Sequence, residues 1–326
     1  MVAAVGCSTQ QPADPRASSS TLTSAFVAPA PPPTVSQFDA RWMGVLPDQP
    51  MGWAELNRRI TGDFQQFSLR PTVETEYRYG CNGCAPWTVD LTAYAPGKFD
   101  PAEARTGQPV TVNADGDGFW VEDQAKHTAT LSWQYADDAW ATAKGMTSAT
   151  TELDRLVELA DALQPTQRTP IRLPLGMGNL PANMPLAEID VDTSPLQDDG
   201  LDYGTRLEFA PCGMAENGGV GDCRLDTDRM SVHIWPDDYR TPTGGREHVI
   251  VALNVGGRDG LYDELIGEAA VQVQPGMHVE FELFGPSYPD QRAGFETILA
   301  GVSWAADPGN DATWPAVTDW AKLAHG

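Results

Sequence analysis

The stretch that decides the expected fold is Thr128–Tyr135, TATLSWQY, which is followed after a short reversal by Ala139–Ala143, AWATA. In the first stretch apolar residues stand at every second position, as is typical of a β-strand with one buried face. Further strand-like patterns precede this pair at 72–80, 87–95, 108–113 and 119–121. Together these segments predict an antiparallel meander.

Two helices are expected to flank this meander. Apolar side chains recur at helical spacing over 51–67, from Trp53 to Phe67, which predicts a short amphipathic helix before it. A second apolar stripe covers Leu153–Leu163, and Pro165 follows it as a stop signal.

The second half of the chain repeats this order. Strand-like segments between 205 and 284 are followed by a helical pattern after Pro289. Aligning Val110–Asn113 with Val251–Asn254 gives a period of about 140 residues, which indicates an internal duplication. We therefore predict an α+β fold built from two similar antiparallel β-meander-plus-helix repeats, with curved sheets packed on helices, over residues 38–165 and 166–326.

The succession of these motifs also resembles a known group of proteins. The pattern Val-x-Val-Asn, Gly with an aromatic residue, Leu-Ser-Trp-Gln-Tyr, Ala-Trp-Ala-Thr and a final Leu-rich helix resembles actinobacterial secreted lipoproteins of uncharacterised function. More distantly, it is similar to the half-barrel fold of the LolA and RseB type. The resemblance covers roughly 108–165, and it implies a binding module without assigning a role to any residue. The two cysteine pairs and a Pro-rich insertion at 170–200 depart from it.

The first residues suggest a lipoprotein. Ala4–Cys7 is similar to the end of a bacterial lipoprotein signal, in which small residues precede a Cys that is lipidated, although the apolar segment before Cys7 is short for a signal core. Residues 8–37 are rich in Ser, Pro and Ala, which predicts a disordered tether. We expect residues 1–7 to be the remnant of the signal and lipidated Cys7 to hold the protein on the outer face of the cytoplasmic membrane. A disordered tail on a soluble protein is the alternative.

The four remaining cysteines form two close pairs, Cys81–Cys84 and Cys212–Cys223. Each pair follows strand-like alternation and encloses glycine, as in a hairpin loop closed by a disulfide. A structural zinc site and a redox pair are the alternatives, but the two pairs lie far apart in sequence, and Pro86 stands where a redox pair would open a helix. We predict two local disulfides, which persist in oxidising compartments outside the cytoplasm.

Charge excludes one class of partner. The chain has 45 Asp and Glu residues against 21 Lys and Arg residues, a net charge of -24 that repels nucleic acid. No run approaches the roughly 18 to 20 apolar residues of a transmembrane helix.

No motif predicts catalysis, a metal or a cofactor. Asn113–Gly118 has the spacing of the first half of a Ca²⁺ loop, but Gln124 stands where the loop needs a Glu, so we predict a hairpin turn there. The histidines lack metal-ligand spacing, and two of them, His127 and His248, are expected in strands. A nucleophile elbow and a phosphate loop are both absent from the sequence.

Three of the ten tryptophans, Trp120, Trp133 and Trp140, fall in adjacent predicted strands. They form a candidate ligand platform, and burial in the core is the alternative. We therefore predict a non-catalytic lipoprotein of the cell envelope that binds a peptide, a lipid or a cell-wall component. A cell-wall hydrolase with a carboxylate site and a structural adhesin-like surface protein are the alternatives, and a carboxyl group of strongly raised pKa would favour the hydrolase.

Overall fold

The computed structural model describes ten segments of the chain, all within the unit Pro31–Gly326. The segments are 41–45, 52–71, 88–112, 116–146, 153–181, 184–192, 204–211, 228–239, 249–285 and 291–317. Cys7, the predicted tether, both cysteine pairs and the whole strand predicted at 72–80 lie outside these segments. The lipidation and the disulfides therefore stay predictions.

The strands and helices are numbered in chain order. The strands are β1 (Arg41–Val45), β2 (Trp53–Thr61), β3 (Phe64–Pro71), β4 (Val89–Tyr94), β5 (Gln108–Val112), β6 (Gly116–Asp123), β7 (Thr128–Ala136), β8 (Ala139–Met146), β9 (Leu163–Pro170), β10 (Leu175–Met177), β11 (Leu186–Asp192), β12 (Thr205–Phe209), β13 (Arg229–Trp235), β14 (Ile250–Val255), β15 (Arg258–Asp263), β16 (Glu268–Gln274), β17 (Met277–Phe284) and β18 (Val302–Trp304). The helices are α1 (Pro101–Ala104), α2 (Leu153–Ala162) and α3 (Gln291–Leu299), and a 3₁₀ turn covers Asp311–Thr313.

Fourteen of these strands form one continuous antiparallel sheet. Inward from one edge their order is β5-β6-β7-β8-β4-β3-β2, and inward from the other edge it is β14-β15-β16-β17-β13-β12-β11. The two seven-strand halves therefore have the same connectivity. They meet at the centre, where Glu188–Asp192 of β11 pairs with Asn57–Thr61 of β2. Two small sheets, β1 with β9 and β10 with β18, complete the described strands.

This architecture overturns the predicted fold class. The α+β arrangement of two meander-plus-helix repeats is wrong, because the protein is mostly β and its two halves share a single sheet. Helices of 4, 10 and 9 residues are all that the described segments contain besides the 3₁₀ turn. None of them is long and apolar enough to cross a membrane.

The helix predicted over 51–67 is also wrong, because this segment forms most of the β2–β3 hairpin. A β-bulge between Glu55 and Asn57 shifts the alternation of β2 by one residue. Trp53 and Ile60 consequently both join the core, although they are seven residues apart. A spacing of seven fits one face of a helix, and here a bulged strand produces the same spacing.

The apolar core lies on one face of the sheet, where the two longer helices pack. In the first half, Leu156 and Leu159 of α2 join a cluster that includes Trp133 of β7. In the second half, Phe295 and Leu299 of α3 join a separate cluster from the strands β12 to β17. Both helices coincide with the closing helices that the apolar stripes predict. The opposite face carries most of the polar and charged side chains of the strands, together with a few apolar ones such as Phe119 and Trp140.

Candidate functional site

The face opposite α2 and α3, which we call the polar face, changes character from one half of the sheet to the other. One rung of directly paired residues can be followed across all fourteen strands. From the β5 edge to the β14 edge this rung contains Pro109, Phe119, Ser132, Thr142, Thr92, Gln66, Arg59, Asp190, Arg206, His233, Glu280, Ala270, Leu261 and Ala252. Its first six members are uncharged, and ionisable residues begin at the centre of the sheet.

A cavity of about 450 Å³ opens on the polar face of the first half. It is lined by Arg105, Asp117, Phe119, Gln134, Tyr135, Ala136 and Trp140. Its volume is within the range of about 300 to 1,000 Å³ that small-molecule sites occupy. We call it the aromatic cavity.

Stacked rings form the floor of the aromatic cavity. The ring of Trp140 is buried and stacks on Phe119, with 6.2 Å between the ring centres, and on Phe99, with 5.7 Å. The guanidinium of Arg105 lies 5.5 Å from the centre of the Trp140 ring, a cation–π contact. An aromatic surface and a cation therefore meet at one place on the protein surface.

The short helix α1 positions Arg105. The Asp100 carboxylate accepts a hydrogen bond of 2.9 Å from the N–H of Ala102, and Pro101 occupies the first helical position. An acidic cap followed by proline is a typical start of a helix. At the other end, the N–H of Arg105 donates to the carbonyl of Pro101 at 2.9 Å, which fixes the backbone beneath the guanidinium.

A β-bulge in β7 shapes the rim of the cavity. The register shifts between Gln134 and Ala136, which makes Tyr135 the additional residue. The Tyr135 hydroxyl donates to the carbonyl oxygen of Tyr94 at 2.6 Å and is thereby held in place. The amide of Gln134 and the exposed carboxylate of Asp117 provide hydrogen-bonding groups beside the rings. The cavity thus combines flat apolar surface with donors and acceptors at its edge.

Carboxylates dominate the polar face of the second half. Neighbouring strands β11, β12, β13, β17, β16 and β15 place five of them, with one serine, in a single rung. Its members in order are Glu188, Glu208, Ser231, Glu282, Glu268 and Asp263. We call this row the acidic rung.

Two arginines pair with Glu188 at one end of the acidic rung. Arg59 donates to Glu188 at 2.6 Å, and Arg206 donates to the other oxygen of Glu188 at 3.3 Å. Arg59 and Glu188 are both almost completely buried. The Ser231 hydroxyl lies 2.8 Å from both carboxylate oxygens of Glu208. Ion pairs between arginine and glutamate therefore connect the two halves at the centre of the sheet.

At the other end, like charges lie opposite one another. Burial, and then the nearby carboxylates of Glu280, Glu282 and Asp263, raise the pKa of Glu268 to about 8. Burial and the charge of Glu280 likewise raise the pKa of Glu282. Glu268 therefore holds a proton at neutral pH, which relieves the repulsion between directly opposed carboxylates.

Glu280 behaves in the opposite way because it has donors. Burial disfavours its charge, but hydrogen bonds from His278 at 3.2 Å and from the indole of Trp235 at 2.5 Å lower the pKa of Glu280. Burial also opposes a charged His278 ring, yet Glu280 and the carbonyl of Asp237 raise the pKa of His278. The rings of Trp235 and His278 stack with 6.1 Å between their centres.

The structure divides the three tryptophans of the predicted platform. Trp133 is fully buried in the core beside α2, and Trp120 packs against the same cluster. Trp140 lies on the polar face, opposite Gln134. The three therefore do not share one surface, and Trp140 alone reaches the aromatic cavity.

Other predicted positions fall as follows. Val112 pairs with Gly116, so the chain reverses at the segment that resembles a Ca²⁺ loop, although 113–115 lie outside the described residues. His127 is in a turn with φ of 54°, and its predicted strand position is wrong. Within the described segments no three His, Cys, Asp or Glu side chains are grouped to hold a metal ion.

Comparisons with known proteins add little. No family model matches the chain, and no curated protein matches it. Two solved structures align with it, MucB in complex with MucA(peri) and the MucA/MucB complex of Pseudomonas aeruginosa. Each is 12% identical and covers 78% of this chain and 94% of its own, with TM-scores of 0.19 and 0.20. MucB belongs to the RseB/LolA family that the sequence pattern resembles, but TM-scores this low carry no argument about this chain.

Neither the aromatic cavity nor the acidic rung was predicted from the sequence. Asp100-Pro101 is a recognisable helix start, and it signals the element that holds Arg105. The alternation of β17, in which Val279 and Phe281 are buried and Glu280 and Glu282 half-buried, is visible in the sequence as well. Both signals identify single elements only. The pairing of distant strands, which these signals do not predict, brings the residues of each feature together.

Proposed function

We propose that this protein is a non-catalytic binding protein of the cell envelope and that its ligand is a glycan of the cell wall. The aromatic cavity is the observation that supports the proposal. The predicted lipid at Cys7 and the predicted tether over 8–37 would hold this cavity outside the cytoplasmic membrane.

A sugar ring fits the chemistry of the cavity. The C–H face of a pyranose is apolar and stacks on an aromatic ring, and its hydroxyls need hydrogen-bonding partners at the ring edge. The half-buried Phe119 supplies the ring face, and the buried Trp140 ring supports it from below. Arg105 supplies donors and Asp117 acceptors, and Gln134 has both. A long acyl chain would leave these polar groups without partners, which disfavours a lipid.

Binding of two soluble fragments distinguishes a glycan from a peptide. A disaccharide-peptide fragment of peptidoglycan and the same stem peptide without sugars are titrated into the full chain by isothermal calorimetry. We expect heat of binding from the first fragment alone. Equal binding of the sugar-free peptide would contradict the glycan assignment.

Two substitutions locate the site. Phe119→Ala removes a stacked ring, and Arg105→Ala removes the cation, so we expect each to weaken binding about tenfold, which corresponds to about 1.4 kcal/mol. Lys126→Ala is the control, since it also removes an exposed cation but lies in the turn at the far end of β6 and β7. Unchanged affinity in both cavity variants, with folding retained, would place the ligand elsewhere.

A cell-wall hydrolase is the second candidate, and one observation favours it. Glu268 and Glu280 lie near each other with pKa values shifted in opposite directions, as in a pair of acid and base. Release of reducing ends from purified peptidoglycan, abolished by Glu268→Gln and retained by Phe119→Ala, would support this function. A rate no higher than that of a buffer blank would reject it.

A further inference from the structure

β14 is the last strand on its side of the sheet, and among the described residues it pairs with β15 alone. A two-residue turn, Gly256-Gly257, joins these strands with φ of 55° and 83°, so Val255 and Arg258 exchange both hydrogen bonds. The N–H of Glu264 donates to the carbonyl of Val249 at 3.0 Å, which fits the same alternation.

The alternation determines which backbone groups face outward. Val255, Leu253 and Val251 direct their N–H and C=O groups toward β15. Ile250, Ala252 and Asn254 direct theirs away from the sheet. β14 therefore offers three outward pairs of donor and acceptor to an additional strand.

The two edges of the sheet differ in protection. The opposite edge strand, β5, contains Pro109, which has no N–H to donate. Proteins commonly protect an edge strand with proline, a charged side chain or a bulge. β14, IVALNV, has no proline or charged residue, and its register with β15 is regular.

Exposed apolar residues gather at the same corner. In the part of the chain that the structure describes, the large apolar side chains that remain exposed are Val249, Leu265 and Ile266, at 51%, 44% and 50%. Val249 precedes β14, and the other two lie in the β15–β16 turn that is hydrogen-bonded to it. Apolar residues grouped at a surface indicate an interaction site.

The charge beside this edge is negative on the polar face. The exposed Asp259 of β15 pairs with Asn254, two residues along β14 from the small, exposed Ala252. A lysine or arginine on an added strand reaches past Ala252 to the Asp259 carboxylate. A second copy of the chain, with its net charge of -24, would bring like charges together instead.

We infer that β14 binds an extended basic segment of a partner protein by strand addition, with basic side chains toward Asp259 and apolar side chains toward Val249. Backbone hydrogen bonds provide affinity in this mode, and alternate side chains provide specificity. The site is at the other end of the sheet from the aromatic cavity, so it does not depend on glycan binding.

The probe is a fluorescein-labelled heptapeptide of alternating Lys and Val, and its anisotropy is measured with the full chain. We expect saturable binding that weakens as salt increases, and no binding of the matching Glu and Val peptide. A Lys and Val peptide with N-methyl groups on one edge keeps its charge but loses its donors, so it should bind at least about tenfold more weakly. Equal binding of the N-methylated peptide would overturn strand addition.

Variants locate the contact. Ala252→Pro removes an outward N–H and should weaken the Lys and Val peptide about tenfold. Thr111→Pro, at an exposed position of the opposite edge strand β5, should not. Asp259→Asn should weaken it by about threefold at low salt and less at high salt. Sedimentation should give a monomer for the native chain. A native dimer that Ala252→Pro dissociates would show that a second copy occupies the edge, and the inference would then be wrong.

Discussion

The two halves of the sheet have the same strand order, yet their polar faces share almost no chemistry. Along the common rung, the first half presents Ser132, Thr142 and Thr92 beside an aromatic cavity. The second half presents His233 and Glu280 beside the acidic rung. Both halves bury a similar apolar face against one helix.

This difference shows where the constraint on the sequence lies. The apolar face and the connectivity determine the sheet, since they supply burial and backbone hydrogen bonds. The polar face is free to vary because alternate side chains of a strand point to opposite sides. A pair of halves with one topology can therefore hold two different sites.

Removing the ion pair between Arg59 and Glu188, where the two halves meet, should have the largest effect on stability. Glu188→Ala leaves Arg59 buried without its main partner, so we expect unfolding free energy to fall by about 3 to 5 kcal/mol. Urea unfolding followed by circular dichroism measures the loss. The exposed Glu296→Ala, which also removes a glutamate paired with arginine, should cost under about 1 kcal/mol. Equal losses would show that the junction is not held by charge.

Two matched large-to-small substitutions, one in each apolar cluster, test whether the two halves unfold together. Leu159→Ala in α2 and Leu299→Ala in α3 should each cost about 2 to 5 kcal/mol, because both side chains are fully buried. A shared sheet predicts that either change shifts one common transition. Two transitions, of which each variant moves only one, would mean that the halves are independent units.

Introducing a carboxylate on the uncharged polar face of the first half tests how far the two polar faces differ in their tolerance of charge. Thr142→Glu places a buried acid among uncharged neighbours, so we expect a loss of about 1 to 3 kcal/mol at pH 7. Thr130→Glu on the same face is the control, since it lies opposite the exposed Lys144. The loss should shrink at pH 5, where the acid is closer to its protonated form. A loss that is independent of pH would indicate steric strain.

A further effect is the pH dependence of stability that Glu268 confers. Its pKa is about 8 in the folded protein, above the ordinary value of 4.5, so the folded state binds its proton more tightly. Its contribution to stability is therefore complete below pH 4.5 and is lost as the pH rises to about 8. Glu268→Gln should flatten this slope relative to the native chain, and the exposed Glu296→Gln should not. Parallel curves for all three proteins would contradict the shifted pKa.

Local patterns predicted elements well where side-chain alternation was regular. β7 follows the alternation of TATLSWQY, and α2 follows its apolar stripe. The helix prediction over 51–67 was wrong because a bulge in β2 puts Trp53 and Ile60, which are seven residues apart, on the same face of the sheet. The strand β9, LQPTQRTP, contains two prolines and shows no regular alternation of apolar and polar residues.

The sites were harder to predict because they depend on register between distant strands. Trp133 and Trp140 look alike in sequence, and only the pairing of β7 with β8 puts them on opposite faces. The acidic rung needs six strands aligned to within one residue, and no local pattern specifies that alignment. The sequence predicts a binding protein, but it does not predict which residues form the binding surface.

The pairing of β2 with β11 also has a consequence for folding. Arg59 and Glu188 are 129 residues apart in the chain, so closing this pair costs more loop entropy than any hairpin within a half. Each half is expected to assemble first, with the central strand edges still open. At high concentration we expect the first half of one molecule to pair with the second half of another, so that refolding gives domain-swapped dimers joined through β2 and β11.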